Sequence, residues 1–273
     1  MSREDNKIKD LESKDVLEFD SSLDSDNRLD SKIRIENISK SFDGDKIIDN
    51  ISDKERKVLK NVNVTIPKGK MIALVGESGC GKSTIFNMIA GLLKQDSGTV
   101  DVNGKLSYMY QKDLLLPYKT IIDNVSLPLV LRKEKKSQAR EEVRQYFKVF
   151  GLDGYEDKYP KELSGGMRQR ANFMRTYVNS NDIMLLDEPF GALDSITKSS
   201  MQKWLLDIRK KVTSTILLIT HDIEEAILLS DRIYVISNKP SSVSMEIVVD
   251  RDRIGDVEYS FKLKKDILDV LHV

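Results

Sequence analysis

The chain has 273 residues, with 44 basic and 44 acidic side chains and 40% apolar residues. That balance suits one large globular domain or two unequal lobes, either able to bury a sizeable core. A single cysteine excludes an internal disulfide, and two histidines leave no Cys/His cluster for structural zinc. The longest charge-free stretch, Ser83–Leu93, is eleven residues and too short to span a bilayer. The opening MSREDNKIKD is charged and lacks the apolar run of a secretory leader. Residues 1–32 hold 6 basic and 10 acidic groups. The remainder is mildly basic, and neither part has the charge of a nucleic-acid surface.

Residues 1–31 read as an acidic, disordered or loosely helical tail. The body begins at Lys32, where KIRIENIS alternates apolar and polar as a half-buried strand does. The polar stretch after Phe42 reads as a hairpin tip, and VLKNVNVTI alternates again before the Pro67-Lys68-Gly69 turn. Met71–Val75 is continuously apolar, as in a parallel strand covered on both faces. A glycine-rich loop and a helical pattern through Ile85, Ile89 and Leu92 or Leu93 follow. Residues from about 113 to 175 read as a helical insert with a charged amphipathic stretch at RKEKKSQAREEVRQYFKVFGL. Strand-like runs return at Ile183–Leu186, Thr215–Ile219 and Ile233–Ile236, separated by helices, which predicts a mostly parallel α/β sheet. Residues 241–273 form a short extension, with MEIVV as a strand and FKLKKDILDVL as an amphipathic helix.

The segment Gly76-Glu77-Ser78-Gly79-Cys80-Gly81-Lys82-Ser83, with Thr84 after it, fits a loop that cradles phosphates. Glycines let backbone N–H groups turn inward, and the following helix adds its positive N-terminal end. Lys82 supplies charge for the β- and γ-phosphates, and the Ser83 hydroxyl suits a Mg²⁺ shell. Cys80 occupies a position of the loop that accepts any small residue; beside a helix N-terminus its thiol is expected to show some reactivity. A second element, Ile183–Pro189, delivers Asp187 and Glu188 to the C-terminal end of a strand. Asp187 is placed to hold Mg²⁺ and Glu188 to orient or deprotonate an attacking water.

With these motifs on one chain, the sequence resembles the ATP-binding subunits of ABC transporters over residues 32–240. The most specific element is Leu163-Ser164-Gly165-Gly166-Met167-Arg168-Gln169-Arg170, similar to the ABC signature. Read from the residues alone, Ser164 is a good helix N-cap, and Met167, Ala171, Met174 and Val178 give the helix an apolar stripe. The resemblance implies a P-loop NTPase fold with a mostly parallel sheet, an antiparallel β subdomain and a helical subdomain. It implies ATP and Mg²⁺ as ligands and ATP hydrolysis as the activity. It makes Gln111 the sensor of Mg²⁺ and γ-phosphate, and His221 the switch histidine. Gly191-Ala192-Leu193-Asp194 resembles the family's D-loop, with glycine where serine is more usual, which puts Asp194 among the nucleotide-binding residues. Phe42 aligns with the aromatic that stacks on adenine; a buried core phenylalanine is the other reading. A head-to-tail pair of copies would sandwich two ATPs, each touching the phosphate loop of one copy and Ser164-Gly165-Gly166 of the other.

Within that family, one motif set and no apolar span favour the separate ATPase subunit of an importer, peripheral on the inner face of the cell membrane. Its expected partners are a second copy, multi-span permease subunits and, indirectly, an extracytoplasmic solute-binding protein, with no nucleic acid. Ser195-Ile196-Thr197 and the short Phe261–Leu271 end point to the branch serving nitrate, sulfonate, taurine and thiamine precursors. A soluble ABC ATPase remodelling a cytoplasmic partner is the alternative. Leu114, Leu115, Leu116, Pro117 and Tyr118, just past Gln111, either meet a permease helix or pack inside the helical lobe.

Overall fold

The structure, a computed structural model, describes residues 30–42, 56–236 and 240–271. The acidic tail and the hairpin tip expected after Phe42 lie outside the described residues. In chain order the elements are β1 (Ser31–Phe42), β2 (Arg56–Pro67), β3 (Met71–Val75), α1 (Lys82–Ile89), β4 (Ser97–Val102) and β5 (Leu106–Met109). Next come α2 (Ile121–Val125), α3 (Leu127–Leu131), α4 (Lys136–Phe150), α5 (Gly165–Asn179), β6 (Ile183–Asp187) and α6 (Ser195–Arg209). The chain continues through β7 (Thr215–Thr220), α7 (Ile223–Leu229), β8 (Arg232–Ile236), β9 (Val243–Val248) and α8 (Val257–Leu271).

Two sheets carry the architecture. A six-stranded sheet has the order β5-β6-β7-β3-β8-β9, parallel except for β9, which runs antiparallel to β8. A three-stranded antiparallel sheet has the order β2-β1-β4. The sequence reading contains no counterpart of β4, because SGTVDV is short, mostly exposed and weakly patterned. The first helix also ends earlier than its pattern suggests. Ala90 caps it, Gly91 takes a left-handed φ of 70°, and Leu92 is exposed.

The period-2 geometry of the central strands sorts the core. Ile72, Leu74, Ile183, Leu185, Leu217 and Ile219 face α1 and the small antiparallel sheet in one hydrophobic cluster. Met71, Met184, Leu186, Ile216 and Leu218 face the opposite side, where α4, α5 and α6 supply Val143, Phe147, Phe150, Phe173 and Leu205. Ala73, Val75, Ile233 and Val235 share that side with α7 and α8. Every residue of β3 is buried, as two-sided cover requires. Among the described residues, no helix is long and apolar enough to cross a membrane.

Candidate active site

The strand order decides where the candidate residues meet. β5, β6, β7 and β3 are consecutive parallel neighbours. Gln111 follows β5, Asp187 and Glu188 close β6, His221 follows β7, and Gly76 follows β3. All therefore emerge at one edge of the sheet, the carboxyl end, where open α/β sheets bind ligands.

The phosphate loop is shaped by close packing. A Cβ on Gly76 would lie 2.7 Å from the Ile236 carbonyl and 2.9 Å from the Cys80 sulfur. Gly81 caps α1 in a left-handed conformation with φ 100°, and a Cβ there would lie 2.7 Å from Leu59 of β2. Both positions thus require glycine. Glu77, Ser78 and Gly79 are exposed on the loop, as is Ser83. Lys82 is buried, and its Nζ donates to the carbonyls of Gly76 at 2.7 Å and Glu77 at 2.8 Å. Thr84 is half-buried in the first turn of the helix. Cys80 corrects an expectation. Its side chain is 2% exposed, packed in the cluster beneath the loop, so it is not an accessible thiol at the phosphates.

Opposite the loop lie the carboxylates. Asp187 accepts from the Tyr108 hydroxyl at 3.1 Å. Burial raises the Asp187 pKa, the neighbouring Glu188 charge adds to that, and Tyr108, Lys82 and a Ser83 hydrogen bond pull it back. Tyr108 is pushed up in turn, first by burial and then by the Asp187 charge. Its ring stacks on Tyr110 at 4.2 Å between centroids and meets Phe86 edge-on. Tyr108 is a residue that motif reading passed over. The alternation of LSYMY, which puts Tyr108 and Tyr110 on one face, is the signal that could have found it.

Glu188 sits at φ 44°, a left-handed backbone that a non-glycine residue rarely takes, and its N–H donates to the Ile219 carbonyl at 3.0 Å. Such strain collects at functional positions. Gln111 Nε2 donates to one Glu188 oxygen at 3.0 Å. His221 Nδ1 is 3.2 Å from the other. Three residues taken from distant parts of the chain are therefore in direct contact. Ser83 and Asp187 oxygens, with the Gln111 amide nearby, form a hard donor set of the kind Mg²⁺ takes alongside water and phosphate oxygens. No group of three His, Cys, Asp or Glu side chains among the described residues forms an all-protein metal cage.

Phe42 ends β1 with 39% of its surface exposed and Lys40 Nζ 5.5 Å from its ring centre. It is a surface ring, which removes the buried-core reading. Ser164 caps α5, its hydroxyl accepting from the Met167 N–H at 3.3 Å. Gly165 shares an open cleft with Gln111, Asp113, Arg168 and Gly191–Leu193, to which no phosphate-loop residue contributes. Asp194 is exposed and caps α6 by accepting from the Thr197 N–H at 3.0 Å. The apolar run after Gln111 divides. Leu115 is buried in the helical core, whereas Leu114 and Tyr118 are 52% and 72% exposed.

The chain is similar to known proteins over most of its length. The ABC transporter family matches residues 59–191. The formylaminopyrimidine import ATP-binding protein ThiZ of Halalkalibacterium halodurans is 44% identical, over 78% of this chain and 90% of its own length. The aliphatic sulfonates import ATP-binding protein SsuB of Bacillus cereus is 39% identical, over 68% of this chain and 76% of its own. Among solved structures, a dimeric post-hydrolysis state of the ATP-binding cassette MJ0796 with ADP and Pi superposes with a TM-score of 0.65. It is 27% identical and covers 80% of this chain and 99% of its own.

Proposed function

The chain belongs to the ABC transporter family, among the ATP-binding subunits of importers, and on that premise we propose that it powers uptake of a small anionic or thiamine-precursor-like solute through a separate permease. The family is one of Mg²⁺-dependent ATPases that work as dimers. The observation that carries the site assignment is the contact of Glu188 with both Gln111 and His221 at the sheet edge that bears the phosphate loop.

In this reading the backbone N–H groups of residues 76–83 and the Lys82 ammonium bind the ATP phosphates, and Phe42 stacks on the adenine. Ser83 and Asp187, with Gln111, would hold Mg²⁺, and the bound ion would supply charge neutralisation for the phosphates. Glu188 orients the attacking water and accepts its proton. His221 steadies Glu188 and the γ-phosphate, and Gln111 reports the ion's presence to the loop behind it. Catalysis is then positioning and charge stabilisation of an in-line transfer to water. Ser164, Gly165 and Gly166 of a second copy close each site, with Asp194 at the seam. ATP favours the closed dimer by its extra contacts there, and hydrolysis removes that preference. The permease docks at Leu114 and Tyr118, which keeps the subunit on the inner face of the membrane, and a solute-binding protein on the far side selects the cargo. The names of ThiZ and SsuB support this solute class.

Replacing Glu188 by Gln tests the chemistry. ATP-dependent dimerisation should persist in size-exclusion chromatography while hydrolysis falls about 10²–10⁴-fold, the usual contribution of a general base. Hydrolysis within twofold of the unmodified protein would remove Glu188 from that role.

A further inference from the structure

The segment after Gln111 is held in an unusual shape. Leu114 has φ 46°, a left-handed conformation disfavoured for leucine. In extended chain, successive carbonyls point to opposite sides. Here the carbonyls of Asp113 and Leu114 both reach one guanidinium: Arg175 Nη2 donates to Asp113 O and Nη1 to Leu114 O, each at 2.8 Å. The left-handed turn at Leu114 is what brings them together. Arg175 Nη2 also donates to Asn172 Oδ1 at 2.7 Å, and Asn172 Nδ2 is buried with no partner. About two turns back along α5, within the signature itself, Arg168 Nε lies 3.4 Å from Asp113 Oδ2, and its Nη1 donates to Leu163 O at 2.8 Å. Arg168, Asn172 and Arg175 are spaced along one face of α5. The far half of the segment is tied separately. Asn124, fully buried, accepts from Leu116 N–H at 2.7 Å and donates to the carbonyls of Leu116, Lys119 and Thr120.

We propose that Arg175 is a positioning residue that makes the signature helix and the Gln111–Tyr118 segment one rigid body, holding Gln111 on Glu188 and presenting Leu114 and Tyr118 outward. Only a planar fork of donors spans two adjacent carbonyls; an ammonium cannot hold both in plane. The two ends of this body face different partners. Ser164–Gly166 at the start of α5 meets the second copy's ATP, and Leu114 and Tyr118 meet the permease. Closure of the dimer would thus move the docking surface without any change inside the helical lobe. The inference rests on the reading of Gln111 as the residue that answers Mg-ATP.

The test is hydrogen exchange on the purified full chain, with and without Mg-ATP, comparing the unmodified protein with Arg175→Met and Arg175→Lys. Without nucleotide, Arg175→Met should raise amide exchange over residues 112–118 about tenfold while α5 stays protected. Its kcat should fall about tenfold with KM for ATP changed less than about twofold, because a misplaced group costs rate rather than binding. Arg175→Lys should show the same pattern at smaller amplitude, and it decides the matter if the Met variant does not fold. Unchanged exchange over 112–118 in the folded variants overturns the proposal. So does a uniform rise across the chain with a matching fall in Tm and loss of ATP binding, which marks a purely structural arginine. If the unmodified protein shows no Mg-ATP effect at 112–118, the Gln111 reading fails instead, and the nucleotide-free comparison still decides the role of Arg175.

Discussion

The phosphate loop and the Gln111–Tyr118 segment are built by opposite means. The loop is shaped largely by its own backbone: Gly81 takes a left-handed φ of 100° and Lys82 folds back on the loop's own carbonyls, while glycines at 76 and 81 leave room for Ile236 and Leu59 beside it. The Gln111 segment is shaped from outside, by Arg175 some sixty positions away and by Asn124 on a neighbouring helix. A site that must grip the same phosphate group in every turnover can store its shape in local backbone. A segment that must carry a state from one partner to another gains by being fastened to the element that moves.

That contrast can be broken at several points. The largest stability effect is expected inside the Gln111 segment. Leu115→Ser should cost about 3 kcal/mol or more in urea unfolding, since it buries a hydroxyl and opens a void. Tyr118→Ser, at an exposed position, should stay within about 0.5 kcal/mol yet uncouple transport from hydrolysis in the assembled transporter. Equal stability losses would mean that the segment has no outward face. Next, Gly76→Ala should cost about 1–3 kcal/mol through overpacking against a backbone carbonyl and should weaken ATP binding in calorimetry. An alanine variant with native affinity would show that the loop is not set by that contact. A more modest stability loss than at Gly76 belongs to a clamp of the second kind, where Asp123 on α2 receives Arg140 and Lys136 from α4 at 2.7 and 2.9 Å. The Arg140 hydrogen bond, with help from Lys136, holds the Asp123 pKa down to about 2 from 3.8. A folded-state pKa below the unfolded one stabilises above the unfolded value and ceases to as pH falls through the folded one. Asp123→Asn should therefore lose about 1–2 kcal/mol at pH 7. The gap between variant and parent should close between about pH 4 and pH 2. A gap that persists at pH 2 would show that the aspartate acts by shape rather than charge.

The same contrast explains what the sequence disclosed. Strands β3, β6, β7 and β8 are legible because burial on both faces demands unbroken apolar runs. The phosphate loop and signature are legible because their chemistry is written in consecutive residues. β4 was not, since a short, exposed strand has no strong period. Cys80 departs from its expected exposure because motif spacing names a position without saying which way its side chain turns. Tyr108, Asn124 and Arg175 escaped notice because their meaning lies in pairings across the fold, with partners 79, 8 and 61 positions distant. Leu115 and Leu114, adjacent and alike in type, go to opposite environments because the left-handed backbone at Leu114 itself redirects the chain.

The left-handed backbone at Glu188 places two separate selections on one position. On the proposed role, chemistry asks for a carboxylate, while folding asks for a residue that tolerates positive φ. A complete set of substitutions at 188 would sort into two rankings that disagree. Asparagine and glycine would keep the fold and lose turnover. Valine, isoleucine and threonine would fail earlier, at the level of expressed, folded protein, because branching at Cβ resists that conformation. Variation tolerated at this site during descent would then be narrow for reasons that activity assays alone could never separate.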